Sequence, residues 1–161
     1  PRWGPVPATA VLIVWLGAGF SGRRLGELEA FLPPASINAL SELKWIQNDY
    51  QLALAEAKKT NQPIIVNFTG YTCTNCRWME YNMFPKPEVA RELSRYVRVE
   101  LYTDRPGEPY QGFQKMESDL FGTVALPYYA VFTPDGEPVV AFGGLTRDPN
   151  QFINFLKTGL R

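Results

Sequence analysis

The two cysteines are the residues of this chain whose type and spacing best suit chemistry. Cys73 and Cys76 are the only cysteines among 161 residues, and their spacing is Cys-x-x-Cys. The run 63–68 before them is apolar and β-branched, which predicts a short buried strand. The run 76–84 contains no Gly or Pro, which favours a helix. The pair is therefore expected where a strand ends and a helix begins.

That position predicts different roles for the two thiols. Cys73 would lie at the helix N-terminus, where unpaired backbone N–H groups and the positive end of the helix dipole favour an anion. Such an environment lowers the pKa of a thiol and produces a nucleophilic thiolate. Cys76 would lie about one turn further along, close enough to attack a mixed disulfide formed at Cys73. We therefore predict thiol–disulfide exchange.

Three other interpretations of the pair stay open. A structural disulfide is possible, although a bridge that closes so small a loop constrains the unfolded chain little. Half of a zinc site is the second interpretation, but the chain contains no His and no other Cys to complete four N/S ligands. The third is a pair of buried cysteines without a role. We expect no metal, and no cofactor other than the disulfide itself.

Composition narrows the function classes. The chain has 16 basic and 16 acidic residues, which gives no indication of nucleic-acid binding. Apolar residues make up 45% of the chain, enough for a hydrophobic core. The absence of His excludes catalysis by His and favours an oxidoreductase that uses thiols alone.

The first residues differ from the rest. Residues 6–20 carry no charge, but they are fewer than the roughly 20 needed to span a bilayer. Because the chain begins at Pro1 and not at Met, we expect a fragment that starts within a membrane span; a signal peptide or a buried helix is the alternative. By the positive-inside rule, Arg23 and Arg24 would place the chain after this segment on the cytoplasmic side, which is evidence against an extracytoplasmic domain. We place the end of the membrane segment and its connector at 1–34, and a globular domain at 35–161.

The globular part alternates between strand and helix patterns. The predicted order is β-α-β-α-β-α-β-β-α, an α/β domain with a central mixed β-sheet flanked by helices. We expect strands at 43–46, 63–68, 96–102, 128–132 and 138–142. Helices are expected at 50–59, 76–84, 88–96, 111–121 and after Asp148. Asp49 and Asp148 are the predicted N-caps of the first and last of these, and Pro149 would be the first residue of the last. In the first helix, the predicted apolar contacts are Leu52, Leu54, Ala55 and Ala57.

These features together resemble a known family. A strand, a Cys-x-x-Cys pair at a helix start, a strand opening on Leu126-Pro127, a hairpin and a closing helix are similar to the thioredoxin fold. The stretch 45–83 resembles the C-terminal domain of the DsbD family of membrane protein-disulfide reductases. It has Leu54-Ala55-Glu56-Ala57-Lys58 before the strand and Cys76-Arg77-Trp78-Met79-Glu80 after it. The resemblance covers about 43–160.

The resemblance implies roles for individual residues. Cys73 would be the attacking cysteine and Cys76 the resolving one. Pro127 occupies the place of a cis-proline that faces the disulfide in the family. Leu126 would offer backbone groups to a partner polypeptide as a short β-augmentation. The same groove would be lined by Tyr71, Thr72 and Tyr128.

Two departures from the family concern the chemistry. Thr74-Asn75 separate the cysteines in place of the Gly-Pro of cytoplasmic thioredoxins. Six residues before Cys73, where many members have a buried acid, this chain has Asn67, whose amide does not titrate. Glu80 matches an acid of DsbD-like domains, and we expect it to handle protons with no second acid to compensate. The alternative is an exposed helix glutamate.

The function that the resemblance implies is protein-disulfide reduction. Electrons would come from a cysteine pair in the membrane domain of the same protein and pass to partner proteins with cysteine pairs. Those partners would serve disulfide isomerisation or cytochrome c maturation on the periplasmic side of the bacterial inner membrane. The alternatives are a free-standing periplasmic thioredoxin-like oxidoreductase, and a non-catalytic binding module with a structural Cys73–Cys76 disulfide.

Overall fold

Strands and helices alternate along residues 43–160, the part of the chain that the computed structural model describes. The segment 6–20, Arg23, Arg24 and the predicted boundary at 34/35 lie outside it. Within it, no helix has both the length and the apolar character needed to cross a membrane. The elements are β1 (Ile46–Gln47), α1 (Tyr50–Thr60), β2 (Ile64–Thr69), α2 (Thr74–Trp78), a π-helical turn (Met79–Met83), α3 (Pro87–Leu93), β3 (Val97–Tyr102), α4 (Tyr110–Phe121), β4 (Tyr128–Phe132), β5 (Pro138–Gly143) and α5 (Pro149–Thr158).

The strands form one sheet in the order β1-β3-β2-β4-β5. β2 lies at the centre, parallel to β3 and antiparallel to β4. All six residues of β2 are buried, as expected for a strand that is covered on both faces. The prediction of an α/β domain with a central mixed sheet flanked by helices is confirmed.

Alternation along β2 divides the core into two layers. Ile64, Val66 and Phe68 face one layer, which includes apolar residues of α1 and α4. Ile65 faces the other layer, with apolar residues of α2, the π-helical turn, α3 and α5. Asn67 and Thr69 follow Ile65 at the strand period of two, so their side chains lie on the face that carries the cysteine-bearing helix.

The first helix packs differently from the prediction. Leu52 is 53% exposed and Ala55 is exposed, whereas Ala53 and Ala57 are completely buried. The expected contacts of Leu52 and Ala55 are therefore wrong. Small side chains at a spacing of four residues form the face of α1 that approaches the sheet closely, and that leaves the larger Leu52 on the solvent side.

The helix after the cysteines is not regular throughout. α2 ends at Trp78 and continues as a π-helical turn, in which the Phe84 N–H donates to the Met79 carbonyl over 3.0 Å. The predicted helix over 76–84 is therefore present, but its second half is π-helical and not α-helical. Most of the turn is buried, including Glu80. Single π-helical turns frequently occur at functional sites.

A buried acid in α4 gives a prediction about stability. Glu117 is fully buried, and neither carboxyl oxygen has a hydrogen-bond partner among the described residues. Burial raises its pKa from 4.5 to about 8. The folded protein therefore retains a proton that the unfolded chain releases, and this contribution to stability is lost as the pH rises from 4.5 through about 8.

We expect Glu117→Gln to increase the free energy of unfolding at about pH 9 by on the order of a few kcal/mol, since one pKa unit corresponds to about 1.4 kcal/mol. At about pH 4, where the carboxyl is protonated in both states, the two proteins should differ little. Urea unfolding at both pH values measures this. An equal effect at the two pH values would contradict the assignment of a protonated Glu117.

Candidate active site

The cysteines form a disulfide between the residue that caps α2 and its first turn. Cys76 is 1% exposed, whereas Cys73 is partly exposed. The Cys76 N–H donates a hydrogen bond of 3.1 Å to the Cys73 Sγ. Thus Cys73 presents the more accessible sulfur, and it has a backbone donor that would also stabilise a thiolate.

The loop before the cysteines is held by a carboxylate that the sequence analysis missed. Asp104, just after β3, accepts hydrogen bonds from the Tyr71 N–H over 2.9 Å and from the Thr72 N–H over 2.8 Å. The Thr72 hydroxyl donates a third at 3.0 Å. Burial alone would raise the pKa of Asp104, but these hydrogen bonds outweigh it and hold the pKa below its ordinary value. Asp104 therefore fixes the backbone that leads into Cys73.

Gly70 is required by this arrangement. A Cβ at Gly70 would lie 2.8 Å from the Asp104 carboxyl and 3.1 Å from Leu126 Cδ1. The Asp104 carboxyl has no room to move, since both of its oxygens hold the loop. The same distances place the Leu126 side chain beside the turn that leads to the cysteines.

The predicted groove residues differ in exposure. Thr72 is exposed, and Leu126 and Tyr128 are partly exposed. Tyr71 is partly exposed and stacks on Tyr102 with ring centroids 4.1 Å apart. The Arg105 guanidinium carbon lies 4.0 Å from the centre of the Tyr71 ring. Tyr71 therefore belongs to a packed aromatic cluster, and contact of these residues with a substrate remains a prediction.

The Leu126–Pro127 peptide bond is cis, as the family resemblance implied. Pro127 is buried, and its carbonyl accepts a 2.8 Å hydrogen bond from the N–H of Gly144. Tyr128 then begins β4, where it pairs with Phe68 of β2. These contacts join the start of β4 to the end of the central strand, immediately before the cysteine loop.

A buried ion pair follows the cysteines in the same helical stretch. Arg77 and Glu80 are each 1% exposed, and the Arg77 Nη1 pairs with the Glu80 Oε2. The Thr69 hydroxyl accepts from the Arg77 Nη2 over 2.8 Å and donates to the Glu80 Oε1 over 3.0 Å. The alternative interpretation of Glu80 as an exposed residue is therefore wrong.

The environment of Glu80 favours its protonated form. Burial raises the pKa of Glu80 to about 8, with Arg77 lowering it, Glu100 raising it, and the hydrogen bond from Thr69 and the nearby Asn67 amide lowering it. An acid with such a pKa exchanges protons near the ordinary pKa of a cysteine thiol. Glu80 follows Cys76 by four residues along the same helical stretch, and its role in proton transfer stays a prediction.

The expectation that no second acid accompanies Glu80 is wrong. Asn67 of β2 is the register partner of Glu100 on β3, and both are 1% exposed. The Glu100 Oε1 accepts a 2.8 Å hydrogen bond from the Gln47 Nε2. In the sequence, Glu100 is one position of an alternating strand. The signal that could have revealed it was an acid on the inward face of the predicted strand 96–102. Glu100 stands there opposite Asn67, which replaces the family acid.

No group of three or more His, Cys, Asp or Glu side chains in residues 43–160 is arranged to hold a metal ion. The groups that this site offers for chemistry are the two sulfurs, the buried carboxyls of Glu80 and Glu100 and the donors around them. Such a site can accept or donate two electrons by disulfide exchange.

The comparisons with known proteins agree with this geometry. A family model described as a thioredoxin-like domain matches residues 50–160. None of the curated protein sequences matches the chain.

Several solved structures are similar in fold. A thioredoxin from Thermus thermophilus is 24% identical with a TM-score of 0.58, covering 71% of this chain and 86% of that chain. A putative disulphide-isomerase from Bacteroides thetaiotaomicron is 19% identical with a TM-score of 0.60, covering 74% and 93%. The reduced C-terminal domain of Neisseria meningitidis DsbD is 18% identical with a TM-score of 0.55, covering 71% and 99%. At these identities the likeness concerns the fold.

Proposed function

The chain belongs to the thioredoxin-like domain family, and from that premise we propose that it is a protein-disulfide reductase. In this proposal the reduced Cys73–Cys76 pair passes two electrons to partner proteins that carry a disulfide. The observation that carries the proposal is the difference between the sulfurs, since Cys73 is accessible with a backbone donor and Cys76 is buried.

The reaction follows from that difference. The Cys73 thiolate attacks one sulfur of the partner's disulfide, whose S–S bond breaks as a mixed disulfide forms. The partner's displaced sulfur leaves as a thiolate and takes a proton from water. The Cys76 thiol then gives its proton to a nearby base and attacks the Cys73 Sγ. The bond between Cys73 and the partner breaks, the second partner sulfur leaves as a thiolate and takes a proton from water, and the Cys73–Cys76 disulfide forms again. Two electrons have then passed to the partner.

The groove beside Leu126 and Pro127 is the proposed binding surface for the partner. Leu126 lies next to Gly70, and the cis peptide bond leads directly into β4. In the proposal, the Leu126 backbone pairs with an extended segment of the partner, and Thr72 and Tyr128 contact its side chains.

For the place of action, we propose the periplasmic side of the bacterial inner membrane. There the chain would receive electrons from a membrane domain of the same protein and supply proteins of disulfide isomerisation or cytochrome c maturation. The support is the sequence resemblance to the DsbD family. Labelling of reduced Cys73 by a membrane-impermeant thiol reagent in intact cells tests it, and labelling only after lysis of the inner membrane would exclude it.

The proposed activity is tested by electron transfer from the full chain. The fully reduced chain is mixed with a disulfide-bonded protein such as insulin, quenched with acid, and its thiols are counted by alkylation. We expect one partner disulfide to be reduced for each Cys73–Cys76 disulfide formed. A chain alkylated at both thiols is the control. Transfer no faster than that by an equal concentration of dithiothreitol would contradict the proposal.

A further inference from the structure

Glu100 lies beside the position where an acid is missing. Asn67 and Glu100 are register partners on the parallel strands β2 and β3, and neighbouring strands lie about 4.8 Å apart. Their side chains lie on the same face of the sheet as Thr69, which contacts Arg77 and Glu80. A carboxyl on β3 is thus one strand away from the non-titrating amide on β2.

The charges of this cluster do not balance when both acids are ionised. Arg77 supplies one positive charge and pairs with Glu80. Glu100 receives one hydrogen bond, from Gln47, and its Oε2 has no hydrogen-bond partner among the described residues. A buried carboxylate without a cation is costly, so such a group takes up a proton. One guanidinium can balance only one carboxylate, so the two acids hold at least one proton between them.

The surroundings agree with a retained proton. Burial raises the pKa of Glu100, against smaller lowering effects of Gln47 and Arg77. The other titratable groups that face the cluster are Tyr102 on β3 and Tyr129 on β4, and burial raises the pKa of both phenols. The phenols therefore stay neutral at the pH values where the carboxyls exchange their proton.

We propose that Glu100 supplies from β3 the titrating carboxyl that β2 lacks at Asn67, and that it shares one exchangeable proton with Glu80 while Cys76 reacts. This inference rests on the proposed function and assigns Glu100 as a positioning residue that acts through Glu80. When the Cys76 thiol attacks the mixed disulfide, its proton passes to the ionised carboxyl of the pair. The departing partner thiolate is protonated from water, and the carboxyl then releases its proton to solvent.

The test compares the pH dependence of disulfide exchange in Glu80→Gln, Glu100→Gln and the double variant. We expect the double variant to exchange at least about a hundredfold more slowly near neutral pH, the lower end of what acid–base groups contribute. Each single variant should still exchange disulfides, with a pH profile that is shifted from that of the parent. Glu117→Gln is the matched control, a buried carboxyl in the layer of α4, and its profile should equal that of the parent.

Moving the carboxyl back to β2 distinguishes a proton-handling role of Glu100 from a purely structural one. We expect Asn67→Asp in the Glu100→Gln background to restore much of the rate and the pH dependence, because it places a carboxyl about one strand spacing away. Lost packing of Glu100 would not be repaired by this exchange. A Glu100→Gln profile identical to that of the parent would overturn the inference.

A second measurement does not require a Glu100 variant to fold. Infrared difference spectra between the oxidised and reduced states report changes in protonated carboxyls. The double variant Glu80→Gln/Glu117→Gln keeps Glu100 and removes the other two buried carboxyls discussed above. In this variant we expect a carboxyl band that still changes on reduction. Its absence would overturn the inference even when exchange is normal. If instead the parent protein transfers no electrons to a disulfide, the proposed function itself fails.

Discussion

Cys76→Ser is expected to accumulate mixed disulfides with its partner proteins, whereas Cys73→Ser is expected to form none and to lose exchange down to the uncatalysed level. Cys73 is the accessible sulfur and accepts a hydrogen bond from the Cys76 N–H. Cys76 is 1% exposed, so we expect a partner disulfide to react with Cys73 first. Without the Cys76 thiol, the first bond forms and no second thiol breaks it.

The measurement is non-reducing electrophoresis after an acid quench and alkylation, with an oxidised test protein and each variant. The double serine variant is the control for non-specific adducts. Equal trapping by both single variants, or trapping through Cys76 alone, would contradict the assigned order of attack. If the pair served only as a structural clasp, neither variant would form adducts. Replacement of either cysteine would then lower the free energy of unfolding.

Arg77→Met is expected to reduce the free energy of unfolding by about 3–5 kcal/mol at high pH, as is typical when one partner of a buried ion pair is removed. Arg77 and Glu80 are each 1% exposed and paired, so the variant leaves a buried carboxylate without its cation. Because burial already raises the pKa of Glu80 to about 8, the cost should decrease below about pH 8, where the carboxyl is protonated. Urea unfolding at about pH 6 and about pH 9 measures the difference.

A matched control is available on the surface. Lys59 pairs with Glu56 at the same spacing of three residues, and their side chains are 78% and 45% exposed. Lys59→Met should therefore cost no more than about 1 kcal/mol. In the double variant Arg77→Met/Glu80→Gln, most of the loss at high pH should be recovered, since no charge remains to be buried. A loss independent of pH and unaffected by Glu80→Gln would contradict the ion-pair explanation.

The sequence predicted those features that depend on neighbouring residues. The apolar run 63–68 and the cysteine spacing placed a strand end and a helix start around Cys73, where both occur. Asp49 and Asp148 accept backbone hydrogen bonds at the starts of α1 and α5, as expected of helix-capping residues. Exposure along α1 was less predictable, because it depends on how closely the helix approaches the sheet.

The sequence by itself determined the fold class, the cysteine pair and the different positions of its two thiols, because strand periodicity, turn chemistry and helix starts are local. The tertiary structure alone decided what surrounds them. Asp104 reaches the Tyr71 N–H across 33 residues, and Glu100 becomes the neighbour of Asn67 only when β3 pairs with β2. Burial then turns Arg77 and Glu80 into a buried charge cluster, because removal of water makes each unpaired charge costly. No local pattern specifies which charges lose their water, since that depends on strands and helices that are distant in the sequence.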